Sequence, residues 1–393
     1  MKLIYVTQGM GLHVMAISDA YYNFLGDDFR FIWTRKPKNA GSSIHKHAEM
    51  GLSYDKPYIY NAWVSSKSKA EAICMINEAD VVIYGGLSFE YVKQRIINKK
   101  LTFSSGERWF KRPFYTISPW GWLGLYRSII KIQNENYFYL ALSAYCANDA
   151  AIMHAFKKRV YKFAYFVPIE DYDIELCVKN KRRDILEIMW CARFIDWKHP
   201  DLVTRLAKKL VDNNITNFHI NMVGAASVLQ NRVKKYVSKC NLSKYVTIID
   251  GLPNAEVRAM MKNSNIFLIT SDRKEGWGAV LNEAMGAGCG IVSSNQIGST
   301  PFLLRHKHNG LVFKSMSLDS LYKNVLLMIN NEPLREMFAI NAYRTITGEW
   351  SVENAAKRFI ALAQSLLQGN PLRYDDGPCS LSFPCNENRI ITD

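Results

Sequence analysis

Residues 266–294 read IFLITSDRKEGWGAVLNEAMGAGCGIVSS. An apolar, β-branched run (266–271) leads into a charged loop holding Gly276 and Gly278, then a helical stretch over 279–287 and a second short run, 290–294. Strand, glycine turn, helix and strand in that order make a βαβ unit, whose two strands lie parallel in one sheet. The pattern extends in both directions. ILEIMWCA (185–192), FHINMVG (218–224) and VTIIDG (246–251) read as strands. Between them lie a helix starting after Pro200 in HPDLVTRLAKKLVDN, another around VLQNRVKKYVSKCN, and a third in AEVRAMMKNS. After a turn through Gly298, HNGLVF (308–313) completes a doubly wound α/β domain.

The first half follows the same grammar less cleanly. KLIYVT (2–7), FRFIWT (29–34), DVVIYGG (80–86), PFYTISP (113–119) and YFYLALS (137–143) are strand candidates separated by helical stretches. A chain of 393 residues is too long for one ordinary core, so two similar α/β domains in tandem are expected. The expected limits are 1–175 and 176–347, with the charged segment FVPIEDYDIELCVKNKRRD (166–184) as the connection. Residues 371–393, rich in Pro, Asn and Asp, read as an irregular tail.

The composition, 48% hydrophobic and 22% charged, is that of a folded protein, and no run reaches the roughly 18–20 apolar residues that span a bilayer. Polar Thr7 and Gln8 cut the first apolar run below signal-peptide length. Eight cysteines are scattered without CxxC or zinc-finger spacing, which suits reduced thiols and a cytoplasmic protein, soluble or peripheral on the inner face of the membrane. A net charge of +15 suggests a polyanionic partner: nucleic acid, an acidic membrane face or a phosphorylated ligand. Helix-turn-helix, RRM and zinc signatures are not visible, which disfavours nucleic acid. The histidines form no H-E-x-x-H set, and the DxD inside EDYD (170–173) is a short pattern in the connection, so neither a metal nor a cofactor is expected.

In a parallel sheet, ligands gather at the carboxyl ends of strands, where loops run into helix starts. The loop after 266–271 is at such an end. Gly276 and Gly278 would let a ligand approach the backbone, and the free N–H groups around Gly278, Ala279 and Val280 would favour a phosphate. Glu283 and Glu275 offer carboxylate oxygens to hydroxyls, Glu283 suiting a diol such as ribose. Taken alone, Glu275 reads more readily as a solvated loop residue and Glu283 as an ordinary helix former. Their company shifts the balance: WCARFIDWKHP (190–200) puts Arg193 and Lys198 after the first strand of the same domain, where two cations could neutralise a diphosphate.

These residues carry a resemblance. AR...WK at Arg193 and Lys198, DGLPNAEVRAMM (250–261, with Gly251), S...EGWG.V..EAM..G from Ser271 to Gly288 (with Trp277), and HNGLVF resemble the donor-binding domain of the family 4 retaining glycosyltransferases. The likeness covers roughly residues 185–368. It implies a GT-B architecture of two facing Rossmann-like domains, with GEWSVENAAKRFIALAQSLL (348–367) similar to the helix that crosses back to the first domain; that element is expected over 348–370. It implies that Glu275 contacts the transferred sugar, Glu283 the nucleotide ribose, and Arg193 and Lys198 the diphosphate. IGSTPFLL departs from the family pattern, with Ser299 for the usual second glycine and Phe302 for the usual glutamate.

In the first half, TQGMGLHV (7–14) offers Gly9, Gly11 and His13 as acceptor-side candidates, or only a tight strand-to-helix turn. FSSGERWFKRPFY (103–115) resembles an SER.FK segment of some polysaccharide-assembly members. There Glu107 could orient an acceptor hydroxyl or act as a base, or could pair with Arg108 or Lys111 as structure. SPWGWLGLYRSIIK (118–131) suits a membrane or lipid-linked contact, or a helix packed on the core.

The expected function is a retaining, metal-independent glycosyltransferase of hexosyl type. It would move sugar from a nucleotide-diphosphate donor to a glycan or lipid-linked glycan in bacterial surface polysaccharide (O-antigen, lipopolysaccharide or capsule) assembly. The rivals are a GT-B nucleotide-sugar epimerase, which turns over donor without acceptor, and a non-catalytic nucleotide-sugar or polysaccharide-binding protein. Nucleic-acid binding is a third, and predicts steep salt dependence.

Overall fold

The computed structural model describes residues 1–36, 54–86, 88–111, 118–181 and 184–391. They form two compact units, Met1–Pro168 with Glu349–Cys385, and Ile169–Gly348 with Asn386–Asp393. The connection expected over 166–184 is thus largely part of the second unit: Ile169, Tyr172, Ile174 and Val178 pack with Ala339, Ile340 and Tyr343.

The first unit holds a parallel sheet of seven strands: β1 (Leu3–Thr7), β2 (Phe29–Trp33), β3 (Ile59–Asn61), β4 (Val81–Gly85), β5 (Thr102–Gly106), β6 (Tyr137–Ala141) and β7 (Val160–Lys162). Their order is β3-β2-β1-β4-β5-β6-β7. β1, β4 and β6 are apolar along their length because helices cover both faces of such a sheet. Of the expected strand PFYTISP, residues 113–117 lie outside the described residues. At Ser118 and Pro119 the chain starts a helix instead, Pro119–Leu125, with Ser118 as cap and proline in the first turn.

The helix Val352–Leu367 belongs to this first unit, as the resemblance implied. Phe359 brings its ring against Tyr21 (5.6 Å), Phe103 (5.0 Å) and Phe163 (6.2 Å). The tail is more ordered than expected. It runs antiparallel along β7, with Lys162 N–H donating to Ser380 O, Cys379 N–H to Lys162 O and Ser382 N–H to Val160 O, each at 2.8 Å.

The second unit holds six parallel strands: β8 (Leu186–Cys191), β9 (Phe218–Val223), β10 (Val246–Ile249), β11 (Ile266–Ile269), β12 (Gly290–Ser294) and β13 (Leu311–Phe313). Their order is β10-β9-β8-β11-β12-β13. The amphipathic helices Pro200–Asp212 and Val228–Lys239 bury Leu202, Leu206, Leu210, Val233 and Val237 on one face of the sheet. Both units are Rossmann-like, the expected class. Among the described residues no helix is long and apolar enough to cross a membrane.

Candidate functional site

From β8 the chain moves outward through β9 to β10, then returns to β11 on the other side of β8. The loops leaving β8 and β11 therefore diverge, and a doubly wound sheet opens a ligand crevice at such a switch point. Residues 192–199 and 270–279 lie there, and they carry most of the donor-side candidates.

The β8 loop is held by close packing. An added Cβ at Gly224, just past β9, would lie 1.9 Å from the Ala192 carbonyl oxygen, so only glycine lets the two chains pass. Ala192 N–H donates to Val223 O (3.0 Å), Ser227 Oγ to Phe194 O (2.9 Å), and Phe194 buries its ring against Trp190. Between these anchors Arg193 is exposed, with no carboxylate partner among the described residues. A short turn, Asp196–Lys198, follows, and His199 adopts φ +48° before Pro200 opens its helix.

Hydrogen bonds stitch this loop to the one after β11. Thr270 Oγ1 donates to Lys198 O (2.6 Å) and accepts from Trp190 Nε1 (2.9 Å). Asp272 N–H donates to Trp197 O (3.0 Å), and its carboxylate meets His199 Nε2 (3.1 Å) and Lys274 N–H (2.8 Å). Burial pushes the Asp272 carboxyl up, but the His199 hydrogen bond and the Lys274 N–H outweigh it and hold its pKa below the ordinary value. Glu275 N–H closes the turn on Asp272 O (3.0 Å).

The stitching brings Lys198 Nζ onto the Glu275 carboxylate, with the two side chains only 13% and 15% exposed. The sequence reading kept cations and glutamates on separate tasks. Here one of each is joined.

Gly276, Trp277 and Gly278 are buried. Gly278 has φ +83°, and a Cβ there would sit 2.9 Å from Ile297 Cγ2, so both conformation and space call for glycine. Trp277 donates from Nε1 to Asn282 Oδ1 (2.9 Å), packs on Phe302 (6.2 Å) and accepts at its carbonyl from Ser299 N–H (3.1 Å), which ties the residue into the fold. Phe302, where the family pattern has a carboxylate, is thus an apolar partner.

The chain turns through Ala279 into the helix Val280–Gly286, where burial raises the pKa of Glu283 against the opposing charge of Arg258. No hydrogen-bond partner for the Glu283 carboxylate is present among the described residues. Cys191, at the end of β8, is pushed up to about 11 by burial and then by the charge of Glu283, with Lys198 pulling the other way. Gly251, past β10, is exposed, and a Cβ added there would lie 3.6 Å from Ala225 Cα.

Four residues here were not singled out from sequence: Thr270, Asp272, His199 and Arg258. Their visible signals were a Thr-Ser-Asp run after an apolar strand, a histidine before a helix-starting proline, and an arginine inside DGLPNAEVRAMM.

In the first unit the charged candidates have partners within the fold, while His13 Nδ1 and Arg108 Nε and Nη1 are buried without a hydrogen bond among the described residues. Glu107 pairs with Lys111, and Arg108 reaches Asp149 (3.3 Å) and lies over the Tyr145 ring (5.2 Å). Arg108 and Asp149 side chains are 9% and 1% exposed, and Asp149 also accepts from Phe110 N–H (2.9 Å). His13 stacks on Tyr165 at 5.2 Å, and burial lowers its pKa, which keeps it neutral at pH 7. Gly9 and Gly11 have open space where a Cβ would be. In the EDYD segment, Asp173 caps the helix Ile174–Lys179 and Asp171 accepts from Tyr343 (3.4 Å). Trp120 is 82% exposed, whereas its neighbour Trp122 packs on Phe110.

The second half matches a glycosyltransferase family. Residues 178–345 match the family described as Glycosyl transferases group 1. Among curated proteins the chain is similar to the uncharacterized glycosyltransferase MJ1069 of Methanocaldococcus jannaschii, 21% identical over 208 residues, which covers 53% of this chain and 52% of that one. The chain thus spans about half the length of the curated relatives it matches. Among solved structures it is similar to Anabaena HepE in complex with UDP and glucose, at 14% identity and a TM-score of 0.64 over 93% of this chain and 99% of that one. It is also similar to WaaG, a glycosyltransferase involved in lipopolysaccharide biosynthesis, at 13% identity and a TM-score of 0.58 over 93% and 100%. The fold is that of the GT-B glycosyltransferases.

Proposed function

We propose that the protein is a retaining glycosyltransferase that moves a sugar from a nucleotide-diphosphate donor to a glycan or lipid-linked glycan acceptor in surface polysaccharide assembly. The observation that carries this reading is the convergence of Arg193, Lys198, Glu275 and the Gly278 turn at the switch point of the second sheet, inside the matched residues 178–345. Arg193 and Lys198 hold the diphosphate, Glu283 the ribose and Glu275 the sugar. Negative charge grows on the diphosphate as the glycosidic bond breaks. Cations and N–H groups already in place stabilise that charge more than they stabilise the bound donor. Attack by the acceptor on the face the diphosphate leaves would account for retention without a protein nucleophile, and the chain needs no metal for these steps.

HepE, in its complexes with UDP and glucose, supports a nucleotide-sugar donor, and WaaG supports a role in surface glycan assembly. Exposed Trp120 and Tyr126 beside Arg127 add a peripheral contact with an anionic membrane on the cytoplasmic side. The test is a screen of nucleotide sugars for thermal stabilisation, followed by transfer assays with the best donor and NMR of the product's anomeric configuration. A product with inverted configuration, or donor converted without acceptor, rejects the reading.

A further inference from the structure

The Lys198–Glu275 pair is placed where the proposed donor would have to meet both of its members. Each side chain is largely withdrawn from water, so each charge would be costly if left alone. The backbone on both sides is fixed independently of the pair: Thr270 holds Lys198 O, Asp272 holds Trp197 and Glu275, and His199 braces Asp272. The lysine stem and the glutamate side chain can therefore exchange partners while the loops stay in place. Arg193, on the same loop, is exposed and has no carboxylate to leave among the described residues.

We propose that Glu275 acts as an internal stand-in for the donor phosphate. Arg193 captures the diphosphate first. Lys198 then passes from the single carboxylate to the more highly charged phosphate oxygens, and its departure frees the Glu275 oxygens to accept from sugar hydroxyls. Occupancy of the phosphate position thereby becomes the condition for recognising the sugar. A free sugar lacks the anion that moves Lys198, so it meets a carboxylate already engaged. This rests on the donor-site assignment above and adds to it a coupling between two parts of one ligand, with Glu275 competing for the cation that it later releases.

The competition gives an inverted signature, in which removing a sugar ligand strengthens binding of the nucleotide that lacks the sugar. UDP, GDP and ADP are titrated calorimetrically against the full chain, and the tightest is carried through Glu275→Gln, Lys198→Met and the double variant, each checked for folding by thermal unfolding. Glu275→Gln is expected to tighten the nucleoside diphosphate about five- to tenfold, and Lys198→Met to weaken it about tenfold. In the double variant the gain from Glu275→Gln disappears, because no lysine remains to be released. Glu275→Ala removes the same carboxylate, so a Gln variant that does not fold leaves the test intact.

Unchanged or weaker binding on removal of the carboxylate overturns the handover, as does an equal gain in the Lys198→Met background. In either case a loss of binding in Lys198→Met leaves the donor site standing. If no nucleotide binds, or if Arg193→Met and Lys198→Met both bind like the parent, the donor-site reading falls and the handover with it.

Discussion

The two sheets are wound alike, yet their carboxyl ends use charge differently. In the first unit Glu107 is closed on Lys111 and Arg108 on Asp149 through one nitrogen, with Arg108 Nε and Nη1 buried without a hydrogen bond among the described residues. In the second, Arg193 faces water without a carboxylate among the described residues, Glu283 is half-buried with a raised pKa, and Lys198 and Glu275 answer each other from different loops. Polar groups left energetically incomplete mark a site; groups completed locally mark a scaffold. The proposed donor chemistry is placed in the second unit on the strength of this difference in its charged groups.

The sharpest way to break the comparison is to measure transfer. Glu275→Ala is expected to lower kcat by about 10³-fold and also to lower the unfolding temperature, since Lys198 loses its carboxylate, whereas Glu107→Ala costs kcat less than about tenfold. Equal losses would show the two edges to be functionally equivalent. Stability should reverse the ranking. Arg108→Met leaves the buried Asp149 carboxylate without its cation and should cost about 3–5 kcal/mol in urea unfolding, whereas Arg193→Met should change stability by less than about 0.5 kcal/mol.

Glu283 sharpens the contrast through pH. Its folded pKa lies above the ordinary glutamate value of about 4.3, so the folded chain binds that proton more tightly than the unfolded chain. The stability this gives is complete below the unfolded value and is lost as pH rises through the folded one. Glu283→Gln is therefore expected to gain stability relative to the parent as pH rises above the ordinary glutamate value, while weakening nucleotide binding, read from urea unfolding and calorimetry. The smallest effect is expected at the surface. Trp120→Ser should leave stability within about 0.5 kcal/mol and reduce co-sedimentation with anionic vesicles about threefold.

The second sheet was legible because its strands are buried on both faces and so read as short continuous apolar runs; all four residues of β11 are buried. β5 was harder. Its Ser104, Ser105 and Gly106 have little strand character alone, and the strand exists because it is paired on both sides, by β4 and β6. β3 and β7, three residues each, are likewise set by pairing rather than by composition. Within the site, each loop could be placed by its position after a strand, since that depends on local order. The Lys198–Glu275 contact could not, because it spans 77 residues and depends on Thr270 and Asp272 aligning two loops. The pairing of Arg108 with Asp149, across 41 residues, was hidden for the same reason.

The tail has a practical meaning for handling the protein. A chain cut at residue 370, as its composition would invite, removes Cys379–Ser382 from the side of β7 and bares a row of strand N–H and C=O groups. Such an open edge is a template for pairing with another molecule. Loss through precipitation is the expected failure of that shortened chain, which also gives up the Glu387 contacts with Asn295 and Gln296 in the second unit, and light scattering on the cut and uncut proteins would reveal it.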